Sequence, residues 1–278
     1  MATVNDFPLL VDVDWLRNNQ DNVRILDATW SLPGDMASLP SGFIEGAMFF
    51  DLDEVATPHP TLKHMLPSKD IFEAAASDMG INSSDHIICY DRHGVFSSPR
   101  LWWTFRMFGH KKVSVLDGGL PAWIAAGFNV SDVETSYKKS AYEAASPLLK
   151  VTDKRGVLAA LETDTQIIDA RPSGRFKGTT PEPRHGLRSG HMPGAFNIPF
   201  GSLRTETLHF KDITKLLEIF SKVDPERPII TSCGSGVTAA GLAFTLARLG
   251  AEDITVYDGS WVDYGADKDV PIDKDNIA

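Results

Sequence analysis

The chain repeats one pattern of short apolar segments in its two halves, and this repeat strongly constrains the fold. Residues 23–28 resemble residues 166–170, and residues 87–91 resemble residues 229–233, with matching positions 142 residues apart in both cases. A single period of this length indicates a duplicated domain, because the repeats of solenoids are only about 20–50 residues long. We therefore predict two domains of the same fold, for which 278 residues are sufficient.

Each half alternates short segments rich in Ile and Val with helical segments. The predicted strands include residues 87–90, 113–116, 229–232 and 254–257, and the predicted helices include residues 68–79, 98–108, 213–220 and 236–249. Strands that alternate with helices predict α/β domains, each with a mainly parallel sheet flanked by helices.

The domain boundaries follow from composition, because residues 131–147 contain few apolar side chains. We predict an N-terminal domain at residues 1–135, a linker at residues 136–150 and a C-terminal domain at residues 151–278.

Cys233 follows a predicted buried strand and precedes a predicted helix. Its loop contains two glycines, which let the backbone turn its N–H groups inward, and it runs into the positive end of the helix. Both features favour a reactive thiolate, so we predict Cys233 to be a nucleophile. The alternative is a structural cysteine before a Gly-rich turn. The residues of the predicted loop are Cys233, Gly234, Ser235, Gly236, Val237 and Thr238.

The first half has no thiol at the matching position, which is occupied by Asp91. Cys89 lies two residues earlier within a predicted strand, where we expect it to pack in the core as a small hydrophobic side chain. Only the second half is therefore predicted to carry the nucleophile.

The overall composition excludes several classes of protein. A net charge of −10 argues against nucleic acid or an anionic membrane as a partner, and there is no apolar run of the roughly 18 residues that a membrane helix needs. Residues 1–6 show no pattern of a targeting segment, and two cysteines cannot form a disulfide framework, so we expect a cytoplasmic location. The histidines lack metal-ligand spacing, and we predict neither a metal nor a cofactor.

A duplicated α/β unit with one cysteine at a strand–loop–helix junction resembles the tandem rhodanese-type sulfurtransferases over essentially the whole chain. The resemblance implies two tandem rhodanese-like domains. The loop is similar to that of the 3-mercaptopyruvate sulfurtransferases, whereas the thiosulfate-using rhodaneses typically carry basic residues just after the cysteine. Here those two positions are Gly234 and Ser235.

Two further segments support the resemblance and imply site residues. Residues 174–184 resemble the stretch from which these enzymes draw two substrate-binding arginines, which correspond here to Arg175 and Arg184. Residues 49–67 resemble the segment that supplies a proposed proton relay, here formed by Asp53, His64 and Ser235. Arginine suits the substrate role because its planar fork can hold a carboxylate through two parallel bonds.

The resemblance predicts a sulfurtransferase in which the Cys233 thiolate takes the sulfur of 3-mercaptopyruvate as a persulfide and releases pyruvate. Thioredoxin, a small dithiol or cyanide would then accept the sulfur. The nearest alternative is a thiosulfate:cyanide sulfurtransferase, and a non-catalytic persulfide carrier is a further one. A cysteine phosphatase is disfavoured, because the arginine of its loop would fall at Ala239.

Overall fold

The computed structural model describes residues 7–31 and 38–274, so the prediction made for residues 1–6 lies outside the described residues. The chain forms two compact units. Unit 1 comprises Met1–Thr57, Leu66–Leu148 and Thr205–Phe210, and unit 2 comprises Pro58–Met65, Leu149–Arg204 and Lys211–Ala278. The predicted boundaries at residues 135 and 151 stay predictions.

Unit 1 is built around a five-stranded sheet in which every pair of neighbouring strands is parallel. The strands of unit 1 are β1 (Leu10–Val11), β2 (Arg24–Asp27), β3 (Phe43–Ile44), β4 (Ala47–Phe49), β5 (Ile87–Tyr90), β6 (Val113–Leu116) and β7 (Val130–Ser131). The order in the sheet is β1-β6-β5-β2-β4, and β3 pairs separately with β7 in antiparallel fashion. The helices are α1 (Val13–Asn19), α2 (Lys69–Asp78), α3 (Ser98–Met107) and α4 (Gly119–Ala125), with a 3₁₀ turn at Gln20–Asn22.

Unit 2 repeats this architecture with a second five-stranded parallel sheet. Its strands are β8 (Lys150–Thr152), β9 (Gln166–Asp169), β10 (Phe196–Asn197), β11 (Ile229–Ser232) and β12 (Ile254–Tyr257), in the order β10-β9-β11-β12-β8. Its helices are α5 (Lys154–Ala160), α6 (Ser173–Lys177), α7 (Ile213–Ile219), α8 (Val237–Arg248) and α9 (Ser260–Tyr264), with a 3₁₀ turn at Phe200–Leu203.

The two sheets have the same topology when the strands of one are matched to those of the other in chain order. β5 and β11 are the matching central strands, and every residue of both is buried. The sequences of such strands are continuous apolar runs, because helices cover both faces of a parallel sheet. This is why the predicted ranges of β5, β6, β11 and β12 agree with the observed ones.

Local signals also set the helix ends. The Ser68 hydroxyl accepts the Ile71 N–H at the start of α2, which satisfies an amide that has no partner within the helix. Gly109, just beyond α3, has a φ of 75°, a value that few residues other than glycine adopt easily.

The predicted linker segment lies along unit 1 and is anchored there by backbone hydrogen bonds. The N–H of Ala145 donates to the carbonyl of Phe108, and the N–H of Leu148 donates to the carbonyl of Arg106, both at 3.0 Å. The buried Tyr142 hydroxyl lies 3.0 Å from Nδ1 of His110. Despite its low apolar content, the segment is therefore held on unit 1 by both backbone and side-chain contacts.

Candidate active site

The thiol of Cys233 lies at the carboxyl end of the central strand β11 and beside the N-terminus of α8. Its Sγ accepts a hydrogen bond from the Gly236 N–H at 3.1 Å, and the residue is only 2% exposed. Gly236 caps α8 with a φ of 89°, which turns this amide back towards the sulfur. The positive end of a twelve-residue helix and an inward-facing N–H both stabilise negative charge on the sulfur.

The connection between β12 and α9 holds the thiol loop from a second side. The backbone N–H of Trp261 donates to the carbonyl of Cys233 at 3.0 Å, and that of Val262 donates to the carbonyl of Gly234 at 2.9 Å. The first amides of a helix have no partners within it, so here they are satisfied by the loop that carries the nucleophile.

Ser260 also supports the thiol, and sequence reasoning missed it. Its buried hydroxyl accepts the Cys233 N–H at 3.1 Å, lies 4.0 Å from Sγ and donates to the Tyr257 carbonyl at 2.8 Å. Its φ is 49°, whereas the matching residue of unit 1 is Gly119 with a φ of 54°. A serine where glycine is the relaxed choice costs about 1–3 kcal/mol, and this difference between the repeats was a usable sequence signal.

Arg175 lies beside the loop and is oriented by a buried carboxylate. A Cβ placed on Gly234 would lie 3.1 Å from Nη2 of Arg175. Nε and Nη2 of Arg175 donate to Oε2 of Glu182 at 3.0 and 2.5 Å, and the Glu182 side chain is 1% exposed. No sequence pattern pointed to Glu182, although it lies two residues before Arg184.

A second buried arginine fixes Glu182 in turn. Nη1 of Arg171 donates to Oε1 of Glu182 at 2.8 Å, and its Nε and Nη2 donate to Oδ2 of Asp169 at 2.8 and 2.6 Å. The Arg171 guanidinium lies 3.9 Å from the centre of the Trp261 ring. Each of these buried charges has a partner of opposite sign. The network therefore holds the Arg175 guanidinium in place without leaving a buried charge unpaired.

Arg184 lines a small, partly open cavity within unit 2. Its Nη2 donates to Oγ of Ser235 at 3.4 Å. The cavity is lined by residues that include Lys63, Met65, Arg184, Ser235, Asp258 and Val262. The structure thus brings Arg175 and Arg184 to the same loop, as the resemblance implied, although their roles stay predictions.

The other predicted loop residues have distinct surroundings. The positive φ of the loop falls on Gly236, whereas Gly234 has no φ in that range and lies against Arg175. Val237 is buried at the first position of α8, and Thr238 is half-buried at the second. Ser235 is half-buried and contacts Arg184.

The structure places the two remaining relay residues in different units. His64 belongs to the segment Pro58–Met65 of unit 2, is 3% exposed and has a φ of 44°. Asp53 belongs to unit 1, is exposed and accepts the Trp30 Nε1–H at 3.2 Å. The relay through Asp53, His64 and Ser235 stays a prediction.

The matching loop of unit 1 is filled by its own carboxylate. Oδ2 of Asp91 accepts the backbone N–H groups of Phe96, Ser97 and Ser98 at 2.8–2.9 Å and the hydroxyl of Ser98 at 2.7 Å. Oδ1 accepts the N–H of His93 at 2.9 Å. The inward-facing amides of this loop thus already bind an anion, which leaves Cys233 as the candidate nucleophile.

Cys89 is a core residue of β5 with no exposed surface, as expected from its position. Burial raises the pKa of the Cys89 thiol well above its ordinary value, so this thiol stays protonated. Within residues 7–31 and 38–274, no group of three or more His, Cys, Asp or Glu side chains is arranged to hold a metal ion. Across the same described part, no helix is long and apolar enough to cross a membrane.

The comparisons with known proteins agree with the duplicated fold. The family model "Rhodanese-like domain" matches residues 12–126 and 155–267. The 3-mercaptopyruvate sulfurtransferase of Escherichia coli K12 is 39% identical over 275 residues, which cover 95% of this chain and 97% of that protein. This chain belongs to the tandem rhodanese-domain sulfurtransferase family.

Further members of the family are similar over nearly the whole chain. The Arabidopsis thaliana protein named "Thiosulfate/3-mercaptopyruvate sulfurtransferase 1, mitochondrial" is 39% identical, with 98% of this chain and 80% of that protein covered. The crystal structure of SseA from Escherichia coli, a 3-mercaptopyruvate sulfotransferase with the rhodanese fold, matches with a TM-score of 0.81 at 37% identity. That match covers 92% of this chain and 99% of SseA. The predictions of the family and of the fold class are confirmed.

Proposed function

We propose that this chain is a 3-mercaptopyruvate sulfurtransferase that works through a persulfide on Cys233. The observation that carries the proposal is the convergence of two arginines on the thiol loop. Arg184 contacts Ser235, and Arg175 lies against Gly234. Two guanidinium groups that contact neighbouring residues of the loop suit a small donor whose carboxylate and keto oxygen lie close to its sulfur.

In the first half-reaction the Cys233 thiolate attacks the donor sulfur, and the carbon–sulfur bond breaks. The bonding electron pair leaves with the pyruvate enolate, which then takes up the proton of the donor thiol. The products are pyruvate and an anionic persulfide on Cys233. A covalent intermediate of this kind predicts ping-pong kinetics.

Glu182 determines how Arg175 can bind the donor. Its carboxylate engages the Nε–H and one N–H of Nη2 of Arg175, so both N–H groups of Nη1 and the second N–H of Nη2 remain to meet a carboxylate or keto oxygen. Because Glu182 is itself held by Arg171, the guanidinium is positioned before the donor binds. Preorganisation of this kind lowers the entropic cost of binding.

In the second half-reaction the terminal sulfur of the persulfide passes to an acceptor. We propose that the amide of Gly236 and the hydroxyls of Ser235 and Thr238 stabilise its negative charge. A thiol such as thioredoxin or a small dithiol, or cyanide, accepts the sulfur, and Cys233 returns to the thiolate. The cytoplasmic location of the chain stays a prediction.

The proton steps are assigned to Asp53, His64 and Ser235 as a relay. Lys63 and Met65, on either side of His64, line the cavity that also contains Ser235, which supports a role for this segment near the donor. His64 would transfer the proton to or from the donor, and Asp53 would orient the His64 imidazole.

The decisive experiment compares two assays on the purified protein: pyruvate release from 3-mercaptopyruvate and thiocyanate formation from thiosulfate and cyanide. We expect faster turnover with 3-mercaptopyruvate, and mass spectrometry should show one added sulfur, about 32 Da, on the peptide that contains Cys233. Cys233→Ser should abolish both signals, whereas Cys89→Ser should retain them. Turnover without an adduct on Cys233 would contradict the scheme, and turnover of thiosulfate alone would favour the thiosulfate:cyanide alternative.

Separate half-reactions test the arginines. Arg175→Ala and Arg184→Ala should each lower kcat/KM for 3-mercaptopyruvate by about ten- to a hundredfold, since a charge-assisted hydrogen bond contributes roughly 1.5–3 kcal/mol. Discharge of a preformed persulfide to a small neutral thiol should change much less. Equal losses in the two half-reactions would show that the arginines shape the loop rather than bind the donor.

A further inference from the structure

Lys63 is a cation at the cavity lined by the proposed donor-binding residue Arg184, and the mechanism above does not use it. Its side chain is exposed and lines the same cavity as Arg184, Ser235 and Asp258. All four residues belong to unit 2, because the short segment Pro58–Met65 packs with that unit.

The backbone around Lys63 is fixed, so its side chain starts from a defined position. His64 is buried in a left-handed conformation, with a φ of 44°. On the other side, Nδ1 of His59 accepts the N–H groups of Thr61 and Leu62 at 3.3 and 3.0 Å. The left-handed conformation of His64 is energetically unfavourable for a residue other than glycine, so it persists only where the surrounding structure holds it.

Without Lys63, the formal charges balance over the cavity lining and the neighbouring arginine–carboxylate network. Arg171 pairs with Asp169, and Arg175 pairs with Glu182. The remaining arginine, Arg184, shares the cavity lining with the buried carboxylate of Asp258.

Lys63 therefore supplies the excess positive charge at a site whose donor is an anion. The loop itself adds none, because Gly234 and Ser235 occupy the two positions after the nucleophile.

We propose that Lys63 is a donor-binding residue that selects sulfur donors by their negative charge and thereby admits dianionic donors of the thiosulfate class. The inference rests on the proposed function of Cys233 as the sulfur-accepting nucleophile. With such a donor, the Cys233 thiolate attacks the outer sulfur and the sulfur–sulfur bond breaks. Its electron pair leaves with sulfite, so the charge of three negative units is the same before and after the step.

Charge selection has a quantitative signature, because the Coulomb energy is proportional to the charge of the donor. If removal of the Lys63 charge lowers the rate with a monoanion by a given factor, it should lower the rate with a dianion by about the square of that factor. At a separation of about 6 Å in a water-like dielectric, the expected factors are roughly threefold for 3-mercaptopyruvate and tenfold for thiosulfate.

The test measures kcat/KM for the loading of Cys233 with each of the two donors. The variants are Lys63→Gln, Lys63→Arg and, as a matched control, Lys222→Gln, which removes the charge of an exposed lysine elsewhere in unit 2. For Lys63→Gln we expect kcat/KM to fall about threefold with 3-mercaptopyruvate and about tenfold with thiosulfate. For Lys63→Arg and Lys222→Gln we expect kcat/KM values near those of the unmodified protein. At high salt the difference between the two donors should become smaller. Alkylation of Cys233 by the neutral reagent iodoacetamide should not change.

The outcomes separate this inference from the proposed function. Equal losses with the two donors, no loss in Lys63→Gln, or slower alkylation of Cys233 in that variant would overturn the role of Lys63. Loading by 3-mercaptopyruvate but not by thiosulfate would overturn it as well and leave the proposed function intact. If neither donor loads Cys233, both proposals fail.

Discussion

At the scale of single residues, the site is supported by side chains that do not react. Ser260 holds the backbone of Cys233 from a left-handed conformation, and Glu182 holds Arg175 from a buried position. Both residues bear a cost, backbone strain in one case and a buried charge in the other. Strain kept at a residue that touches the nucleophile indicates that its hydroxyl is needed there.

Substitution of Ser260 separates strain from function. Ser260→Ala and Ser260→Gly both remove the acceptor of the Cys233 N–H, so both should lower the rate of Cys233 loading by about tenfold, the equivalent of one hydrogen bond. Ser260→Gly also relieves the positive φ and should be more stable than Ser260→Ala by about 1 kcal/mol. Chemical denaturation and donor loading measure the two effects. Full activity in either variant would show that the hydroxyl does not position the thiol.

At the scale of elements, the strand–loop–helix junction of β11 and α8 forms the core of the site. The helix is flanked by two glycines of nearly equal φ, 89° at Gly236 before it and 91° at Gly250 beyond its end. Only Gly236 donates its N–H to the sulfur, whereas a Cβ on Gly250 would meet nothing within 4 Å. A positive φ thus occurs at both ends of the helix, but it serves the thiol only at the Gly236 end.

This symmetry provides a matched pair of variants. Gly236→Ala and Gly250→Ala should each destabilise the protein by about 1 kcal/mol, because alanine is strained at a positive φ. Only Gly236→Ala should slow alkylation and sulfur loading of Cys233, since strain relief there turns the amide away from Sγ. If both variants retain normal thiol reactivity, the Gly236 amide does not activate the sulfur.

At the scale of the whole molecule, two units with one topology differ in what occupies the matching loop. In unit 1 the Asp91 carboxylate accepts the inward-facing amides, and in unit 2 the Cys233 sulfur does so. Unit 1 also contains the half-buried imidazole of His86 and the buried imidazole of His110. Burial, assisted by Lys112 and His110, lowers the pKa of His86 to about 4, and burial also lowers the pKa of His110.

The acid stability of the protein should reflect these histidines. Between pH 6.5 and 4 the unfolded chain binds a proton at His86 and the folded protein does not, so the free energy of unfolding should decrease as the pH is lowered through this range. Because solvent partly screens this half-buried group, the expected loss is about 1–2 kcal/mol. His86→Gln should flatten the pH dependence of urea unfolding, whereas the same change at the exposed His185 should not. An unchanged slope in His86→Gln would contradict the assignment.

Much of this molecule could be predicted from local pattern. The repeat at a separation of 142 residues predicted two similar domains, and apolar runs predicted the central strands, because strands buried on both faces carry no polar alternation. The Gly-rich junction predicted the position of Cys233 at a strand end. Family resemblance then added Arg175 and Arg184, which the structure brings to the loop.

Comparison of the repeats could mark Ser260 as unusual, but the roles of the supporting residues could not be predicted in this way, because those roles depend on contacts between segments far apart in the chain. Ser260 reaches Cys233 across 27 residues, and Lys63 shares a cavity with Ser235 because residues 58–65 pack into unit 2. Periodicity reports which face of a segment is buried, but it carries no information about which distant segment covers it. The chemistry of the nucleophile was thus encoded locally, whereas its positioning and the charge of its cavity were decided only when the chain folded.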